Sequence, residues 1–322
     1  MKILITGCAG FIGFHLSQKL LYENNHVVGV DNINNYYDTK LKKKRLYILK
    51  KNRKFKFYKT DISNEKKIRK IFTKKFDCVV NLAAQAGVRY SLENPDAYFN
   101  SNLKGFYNIL KNVGSFKIKH LIFASTSSVY GNQKIMPINE NSNITSPIQF
   151  YAATKTSNEL MAYSFSQLYN MKISGLRFFT VYGPWGRPDM ALFKFTNNIL
   201  KNKPIEIYNY GKHKRDFTYI DDCVNAINLI IKTKKKRNKF EVFNIANGKS
   251  ERLEKYIKII ESELKLKAKK KYLPLQKGDI QKTYANINKI KKFINYKPST
   301  NIETGIKKFI KWYKYYYFNN GK

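Results

Sequence analysis

The segment Ile3-Leu-Ile-Thr-Gly7-Cys-Ala-Gly10-Phe-Ile-Gly13 decides the fold of this 322-residue chain. It has the pattern of a short buried strand, a tight glycine turn and the start of a helix. Glycines at this spacing let backbone N–H groups approach a pyrophosphate, to which the helix N-terminus adds a positive dipole. Asp31 follows at the end of the next predicted strand, where a carboxylate accepts hydrogen bonds from ribose hydroxyls. The segment therefore predicts a dinucleotide site that favours NAD over NADP, because the carboxylate repels a 2′-phosphate.

Outward from this segment, short apolar runs alternate with helical patterns through the first half of the chain. The alternation predicts a doubly wound α/β fold, a parallel Rossmann sheet with its ligand crevice at the carboxyl ends of the strands. The predicted strands are Lys2–Thr6, His26–Val30, Phe55–Tyr58, Cys78–Leu82, His120–Ala124 and Lys172–Arg177. The predicted helices are Phe11–Tyr22, Asn64–Phe72, Asp96–Asn112 and Tyr151–Asn170.

The second half of the chain is less regular and predicts a smaller mixed α/β substrate-binding domain. It opens with a Gly-, Pro- and aromatic-rich stretch, Phe178–Asp189, which is typical of a loop. We expect an NAD-binding domain over residues 1–177, with a return segment near 216–248. The remaining residues, 178–215 and 249–322, would form the substrate-binding domain. Further elements are predicted at Leu192–Lys201, Ile205–Ile207, Asp221–Lys232, Phe240–Asn244, Leu253–Leu264 and Ile302–Tyr316.

The composition excludes several classes of protein. The formal charge of +39 invites a nucleic-acid interpretation, but it comes from 52 Lys and only 9 Arg. Base readout favours Arg, so the excess indicates compositional bias and no nucleic-acid partner. Hydrophobic residues at 43% exclude a disordered chain. The absence of an 18-residue apolar run argues against a membrane span. Three widely spaced cysteines predict buried reduced thiols in a cytoplasmic protein without a metal site.

Two further segments suggest oxidation and reduction of an alcohol. In Tyr151-Ala-Ala-Thr-Lys155 a phenol and an ammonium lie one helical turn apart, where the ammonium is expected to lower the pKa of the phenol. The run Phe123-Ala-Ser-Thr-Ser-Ser-Val-Tyr-Gly131 brings hydroxyls to the carboxyl end of the fifth strand. A hydroxyl donor, a phenol and a lysine at that edge suit alcohol–ketone interconversion with hydride transfer.

Together these motifs resemble the extended short-chain dehydrogenase/reductase family of nucleotide-sugar enzymes. The resemblance covers nearly the whole chain and includes Asn81-Leu-Ala-Ala84, Asn100-Ser-Asn-Leu103 and Phe243-Asn-Ile-Ala-Asn-Gly248. It implies that Tyr151 acts as base and acid, and that Thr126 hydrogen-bonds the sugar 4-hydroxyl. It further implies that Lys155 holds the nicotinamide ribose, and that a homodimer forms through the helices beginning at Asp96 and Tyr151.

The resemblance also implies a set of binding residues. The predicted NAD contacts are Gly7, Gly10, Phe11, Ile12, Gly13, Asp31, Asn32, Asp61, Ile62, Leu82, Ala83, Ala84, Asn102, Tyr151 and Lys155. The predicted substrate contacts are Arg89, Ser127, Ser128, Thr180, Arg187, Arg215 and Asp279. Among these, Arg215 is expected to meet the diphosphate of a UDP-sugar.

Two serines narrow the reaction. Dehydratases of the family usually carry Asp-Glu after the catalytic Thr, and UDP-glucuronate decarboxylases usually carry Ser-Glu. Here the two positions are Ser127 and Ser128, and a hydroxyl is a poor acid–base group at neutral pH. Epimerisation at C4 through a transient 4-keto sugar is the simple route that remains.

The substrate is expected to be acidic. The segments 31–38, 85–95 and 179–190 resemble the branch that interconverts UDP-glucuronate and UDP-galacturonate, enzymes that supply polysaccharide precursors. Planar guanidinium groups suit carboxylates, and Arg is scarce in this chain. We therefore expect Arg187, with Thr180, to hold the uronate carboxylate near the ring plane and so restrain loss of CO₂.

Alternative functions stay open from the sequence. They are 4-epimerisation of UDP-glucose or a UDP-N-acetylhexosamine, decarboxylation of UDP-glucuronate, non-catalytic sensing of a nucleotide sugar, and a basic nucleic-acid-binding module.

Overall fold

A seven-stranded parallel sheet forms the centre of the molecule. The computed structural model describes residues 1–235 and 238–319. The strands are β1 (Lys2–Thr6), β2 (His26–Asp31), β3 (Phe55–Lys59), β4 (Cys78–Asn81), β5 (His120–Thr126), β6 (Lys172–Phe178), β7 (Thr180–Tyr182), β8 (Ile205–Ile207), β9 (Lys214–Tyr219), β10 (Phe240–Ile245), β11 (Ser250–Arg252) and β12 (Lys270–Tyr272).

The helices fill the connections between these strands. They are α1 (Phe11–Tyr22), α2 (Thr39–Lys50), α3 (Glu65–Phe72), α4 (Tyr90–Glu93), α5 (Pro95–Tyr98), α6 (Gly105–Ser115), α7 (Phe150–Leu168), α8 (Ala191–Leu200), α9 (Ile220–Lys232), α10 (Leu253–Leu264), α11 (Asn288–Ile294) and α12 (Ile302–Lys314). Among the described residues, no helix is long and apolar enough to cross a membrane.

The strand order of the main sheet is β3-β2-β1-β4-β5-β6-β10. The order reverses direction at β1, whose residues pair in parallel with both β2 and β4. Such a switch point opens a crevice outside the carboxyl ends of the strands. The predicted doubly wound fold is therefore confirmed.

The sheet is apolar on both faces, as a buried parallel sheet requires. Within β1, Ile3 and Ile5 enter the hydrophobic cluster that includes Phe14 of α1. The intervening Leu4 enters a second cluster on the other face, which includes Phe106 of α6. The sheet is therefore buried between two hydrophobic cores, one on each face.

A smaller region covers the carboxyl edge of the sheet. It contains the three-stranded sheet β11-β9-β7 and the pair β12-β8, with α8, α10 and α12 packed around them. The chain returns to the main sheet once, where β10 pairs in parallel with β6. Residues 236–237 and 320–322 of the predicted domains lie outside the described residues.

Two predicted elements need correction, and helix α2 is among the elements that were not predicted. Asp38 caps α2 by accepting a hydrogen bond from the Lys40 N–H, 2.8 Å. The predicted loop Phe178–Asp189 contains β7, which pairs with β9 far along the chain. The predicted helix Asp96–Asn112 is divided into α5, a π-helical segment Phe99–Lys104 and α6.

Candidate active site

A cleft of about 820 Å³ runs along the carboxyl edge of the main sheet. One wall is made by the loops that follow β1 to β6, and the other by the smaller region. All predicted site residues except Asn102 line this cleft. The structure thus brings together side chains that lie up to 272 positions apart, from Gly7 to Asp279.

Asn102 is not in the cleft. Its side chain is 1% exposed, and its amide hydrogen-bonds to other groups of the protein. Its Oδ1 accepts from the N–H of Gln85 at 2.9 Å, and its Nδ2 donates to the Gln85 carbonyl and the Thr154 hydroxyl. Asn102 therefore fastens α7 to the loop after β4, rather than reaching a ligand.

The glycine turn makes the first end of the cleft. Gly7 has φ +73°, and a Cβ at Gly13 would lie 2.1 Å from the Gly7 carbonyl oxygen. Helix α1 can approach the turn this closely only because Gly13 has no side chain. Gly10 precedes α1 without a side-chain cap, so the first N–H groups of the helix have no side-chain acceptor. This is the arrangement that binds phosphate.

Carboxylates lie beside the glycine turn. Asp31 accepts hydrogen bonds from the N–H groups of Ala9 and Ile33, at 3.1 and 2.8 Å. Burial raises the pKa of Asp31, while the Ile33 N–H and the Lys42 ammonium oppose the rise. Asp61 accepts a 2.7 Å hydrogen bond from the Asn32 amide. Main-chain donors at the turn and acceptors beyond it form the donor and acceptor set that a dinucleotide requires, so these residues fit NAD.

The predicted catalytic residues meet in the middle of the cleft. Thr126 is the last residue of β5, and its side chain accepts from the N–H of Ser128 and donates to its hydroxyl, both at 3.2 Å. Tyr151 lies in the first turn of α7, with Lys155 one turn later. Because the strand end and the helix start adjoin, the two hydroxyls and the lysine share one site.

The expected pKa effect of Lys155 on Tyr151 is not found. Burial raises the pKa of Tyr151, and the Thr126 hydroxyl and the Arg187 charge oppose that rise. The Lys155 ammonium donates to the Ala124 carbonyl at 2.8 Å. Burial lowers the pKa of Lys155 to about 7. In this structure Thr126 and Arg187, rather than Lys155, favour the phenolate.

A buried ion pair behind Lys155 was not predicted as part of the site. Arg177 donates from Nε and Nη2 to the two carboxylate oxygens of Glu159, at 2.9 and 2.6 Å, and Ser125 donates to Oε1 at 2.5 Å. Glu159 follows Lys155 by one turn on α7, and its charge opposes the lowering of the Lys155 pKa by burial. The spacing Tyr151, Lys155, Glu159 on one helix face is the sequence signal that marks it.

At the substrate side, Arg187 is already paired. Its Nε and Nη2 donate to Oδ1 and Oδ2 of Asp189, at 3.0 and 2.5 Å. Tyr36 donates to Oδ2 of the same carboxylate at 3.2 Å. All three side chains line the cleft, as Thr180 does. Asp189 and Tyr36 were not predicted from the sequence, although the short spacing in Arg187-Pro-Asp189 allows such a pair.

The far end of the cleft holds a second paired arginine. Arg215 donates from Nη2 to Asp279 at 3.0 Å and from Nη1 to the carbonyl of Gln281. His213 lies 3.3 Å from the other oxygen of Asp279. Nearby, the guanidinium of Arg89 lies 4.7 Å from the ring centre of Tyr208. Ser127 and Ser128 line the cleft beside Thr126.

Comparisons with known proteins agree with this geometry. A protein of Staphylococcus aureus named protein CapI is 48% identical, covering 98% of this chain and 99% of its own. A UDP-glucuronate 4-epimerase of Thermodesulfobacterium geofontis is 44% identical over 97% of this chain and 95% of its own. The crystal structure of UDP-glucuronic acid 4-epimerase from Bacillus cereus, with UDP-glucuronic acid and NAD, superposes with a TM-score of 0.94 at 34% identity, covering 98% of this chain and 100% of that one.

Residues 3–246 match the model of one family, whose span includes the glycine turn, Thr126, Tyr151, Lys155 and Arg187. The chain belongs to the NAD dependent epimerase/dehydratase family.

Proposed function

We propose that this protein is an NAD-dependent isomerase that converts UDP-glucuronate to UDP-galacturonate through a 4-keto intermediate. The observation that carries the proposal is the convergence of Thr126, Tyr151 and Arg187 in one cleft with a dinucleotide turn. The Thermodesulfobacterium and Bacillus proteins, similar over almost their whole length, support the substrate.

The glycine turn and the carboxylates beside it would hold NAD. When bound, NAD would supply reversible hydride transfer at C4 of the sugar. Gly10 and the first residues of α1 would contact the pyrophosphate, and Asp31 the adenosine ribose. Lys155, buried next to Tyr151, would contact the nicotinamide ribose.

Tyr151 would move the proton. As a phenolate it would take the proton of the 4-hydroxyl while C4 is oxidised, and as a phenol it would return that proton while the ketone is reduced. Thr126 would hydrogen-bond the same oxygen and fix its distance from the phenol. Between the two steps the sugar turns, so that the ketone presents its other face.

The cleft favours epimerisation over elimination. Ser127 and Ser128 follow Thr126, and neither is a carboxylic acid that could remove water or protonate an enolate at neutral pH. The structure also holds Glu159 away from this position, bound to Arg177. The oxidised sugar therefore has one productive outcome, which is reduction on either face.

Arg187 and Thr180 would hold the uronate carboxylate. A 4-keto uronate is a β-keto acid, which loses CO₂ most easily when the breaking bond aligns with the carbonyl π system. A carboxylate held near the ring plane resists that alignment. Arg215 and Asp279, at the far end of the cleft, would meet the diphosphate and its neighbouring sugar.

The remaining proposals concern the whole protein. Residues 1–177 would bind NAD and most of the later residues the UDP-sugar. Large apolar side chains are exposed on two helices that pack together, α6 and α7, and support a homodimer; they are Tyr107, Leu160 and Tyr163. Leu160→Lys should then give a monomer in sedimentation analysis. The three buried free thiols support a cytoplasmic location.

A panel of UDP-sugars tests the function. The purified protein, without added NAD, is incubated with UDP-glucuronate, UDP-glucose or UDP-N-acetylglucosamine, and the products are separated by chromatography. We expect UDP-galacturonate from the first at a much higher kcat/KM than any product from the others. Preferred turnover of a neutral sugar would favour the alternative epimerase, and a UDP-pentose product would favour a decarboxylase.

A further inference from the structure

Asp189 occupies the edge of Arg187 that an incoming carboxylate would otherwise take. Both Nε and Nη2 of the guanidinium donate to its oxygens, at 3.0 and 2.5 Å, in the two-pronged geometry that Arg uses for acidic ligands. Among the described residues, Nη1 has no hydrogen-bond partner. A substrate carboxylate can therefore reach only the outer edge of a guanidinium that already holds another carboxylate.

The position of Asp189 is itself fixed from the cofactor side of the cleft. The Tyr36 hydroxyl donates to Oδ2 at 3.2 Å. The same hydroxyl lies so close to Gly87 that a Cβ there would be 1.9 Å from it. Tyr36 is thus held between the loop after β4 and Asp189, and the plane of the guanidinium is determined by protein contacts before any ligand arrives.

The pair is also balanced in charge. Arg187 lowers the pKa of Asp189, which keeps the carboxylate ionised at neutral pH. The two side chains are only 20% and 26% exposed, so their interaction is weakly screened by solvent. A second carboxylate that binds to Arg187 meets a cation already neutralised by the first, and is attracted less than it would be by an unpaired guanidinium.

We propose that Asp189 is a positioning residue that orients Arg187 and weakens its grip on the uronate, so that the 4-keto sugar is able to turn. The inference rests on the proposed function, because only epimerisation requires the sugar to present both faces of C4. A full-strength ion pair inside the cleft would hold the carboxylate in one place and slow the turn. Because Arg187 binds Asp189 as well as the uronate carboxylate, it orients the substrate but binds it weakly enough for the sugar to turn.

Asp189→Asn in the purified holoenzyme tests this inference. We expect UDP-glucuronate to bind about threefold to tenfold more tightly by calorimetry, with the affinity for UDP-glucose unchanged. We also expect kcat for UDP-glucuronate to fall about tenfold, because the turn becomes slow. The near-ultraviolet absorbance of reduced nicotinamide should then accumulate during turnover, which a merely structural loss would not produce.

Asp38→Asn is the matched control. It removes the same charge near the cleft, keeps a good helix cap for α2, and does not contact Arg187. It should bind UDP-glucuronate as the wild type does. If Asp38→Asn tightens binding equally, general charge and not Asp189 is responsible, and the inference is wrong.

Tyr36→Phe tests whether uronate affinity depends on the position of the Asp189 side chain or on its charge. It loosens Asp189 but leaves the carboxylate beside Arg187, so uronate affinity should not rise. If uronate affinity in Tyr36→Phe rises as much as in Asp189→Asn, the inference is wrong. It is also wrong if Asp189→Asn binds both sugars more weakly and does not accumulate reduced nicotinamide. Failure of the wild type to convert UDP-glucuronate would instead overturn the proposed function.

Discussion

The Tyr151 phenol is the residue on which the proposed chemistry depends most. It is 8% exposed, and the groups that favour its ionised form, Thr126 and Arg187, lie in the same cleft. Tyr151→Phe removes only the hydroxyl and keeps the ring that packs against Tyr98, 6.1 Å away between centroids. We therefore expect kcat to fall about a thousandfold, with bound NAD and melting temperature unchanged. Turnover within a few-fold of the wild type would exclude Tyr151 as the acid and base.

Arg187 is the residue that should select an acidic sugar. Arg187→Ala removes the cation and leaves Asp189 in the cleft, where it repels a second carboxylate. The ratio of kcat/KM for UDP-glucuronate to that for UDP-glucose should fall about tenfold or more.

A matched control for this variant is available at Arg252. This arginine is exposed on β11 and does not line the cleft. Arg252→Ala should keep the wild-type ratio. An unchanged ratio in Arg187→Ala would mean that other side chains recognise the carboxylate.

Individual site residues were predicted from the sequence where a recognisable motif carries side chains suited to the reaction. Thr126, Tyr151 and Lys155 were predicted because strand end and helix start carry recognisable residues. The partner of Arg187 was not, because an ion pair between Arg187 and Asp189 depends on side-chain rotamers in a loop. The hydrogen bond from the Lys155 ammonium to the Ala124 carbonyl was also missed, since helical spacing places a side chain on a face but does not determine its partner.

Helix α1 and the turn before it form the element on which the cofactor site rests. A Cβ at Gly13 would lie 2.1 Å from the Gly7 carbonyl oxygen, a backbone atom that cannot move aside as a flexible side chain could. Gly13→Ala should lower the free energy of unfolding by about 3 kcal/mol and release bound nucleotide. Urea denaturation and the absorbance of the purified protein measure the two effects.

Gly114→Ala is the control for this change. Gly114 lies in α6, where the nearest atom to a new Cβ is 3.5 Å away. Alanine there should be neutral or stabilise the protein by about 0.5–1 kcal/mol, because it favours the helix. Equal stability of the two variants would contradict the close approach described for Gly13.

Helix α1 also makes a pH-sensitive contact. The ring Nε2 of His15 lies 2.9 Å from the Pro184 carbonyl, and burial lowers the pKa of His15 to about 4. The unfolded chain binds this proton at a pKa of about 6.5, so stability is lost as pH falls from there toward 4. Between pH 7 and pH 5 the wild type should lose about 1–2 kcal/mol more than His15→Gln.

Urea denaturation at both pH values measures this difference. His26 is exposed, so His26→Gln should keep the wild-type response to acid. If His15→Gln loses as much stability as the wild type, the acid sensitivity arises elsewhere.

Elements were predicted well where local sequence decides them. The buried parallel strands and α1 stand out, because their apolar runs are bounded by glycine or acidic residues. Helix α2 was missed because it is rich in lysine and its apolar face is narrow. That face consists of Leu41, Leu46 and Leu49. β7 and β9 pair only through long-range contacts, which no local pattern records.

In the whole molecule, the order of the strands determines where the active-site cleft lies. The switch at β1 opens the crevice, and the return strand β10 extends the sheet behind it. The charge of +39 has little to do with this arrangement. Lysines are spread over the chain, and those that line the cleft are few; they are Lys42, Lys155, Lys194, Lys271 and Lys277.

The fate of the hydrogen at C4 distinguishes epimerisation through a 4-keto intermediate from other routes. UDP-glucuronate carrying deuterium at C4 is incubated with the purified protein in ordinary water, and the UDP-galacturonate formed is examined by mass spectrometry and proton NMR. We expect the product to keep the deuterium at C4 and kcat to show a primary isotope effect, because the same atom leaves and returns. Loss of the deuterium to water, or inversion without cleavage of the C4–deuterium bond, would contradict hydride transfer through a 4-keto intermediate.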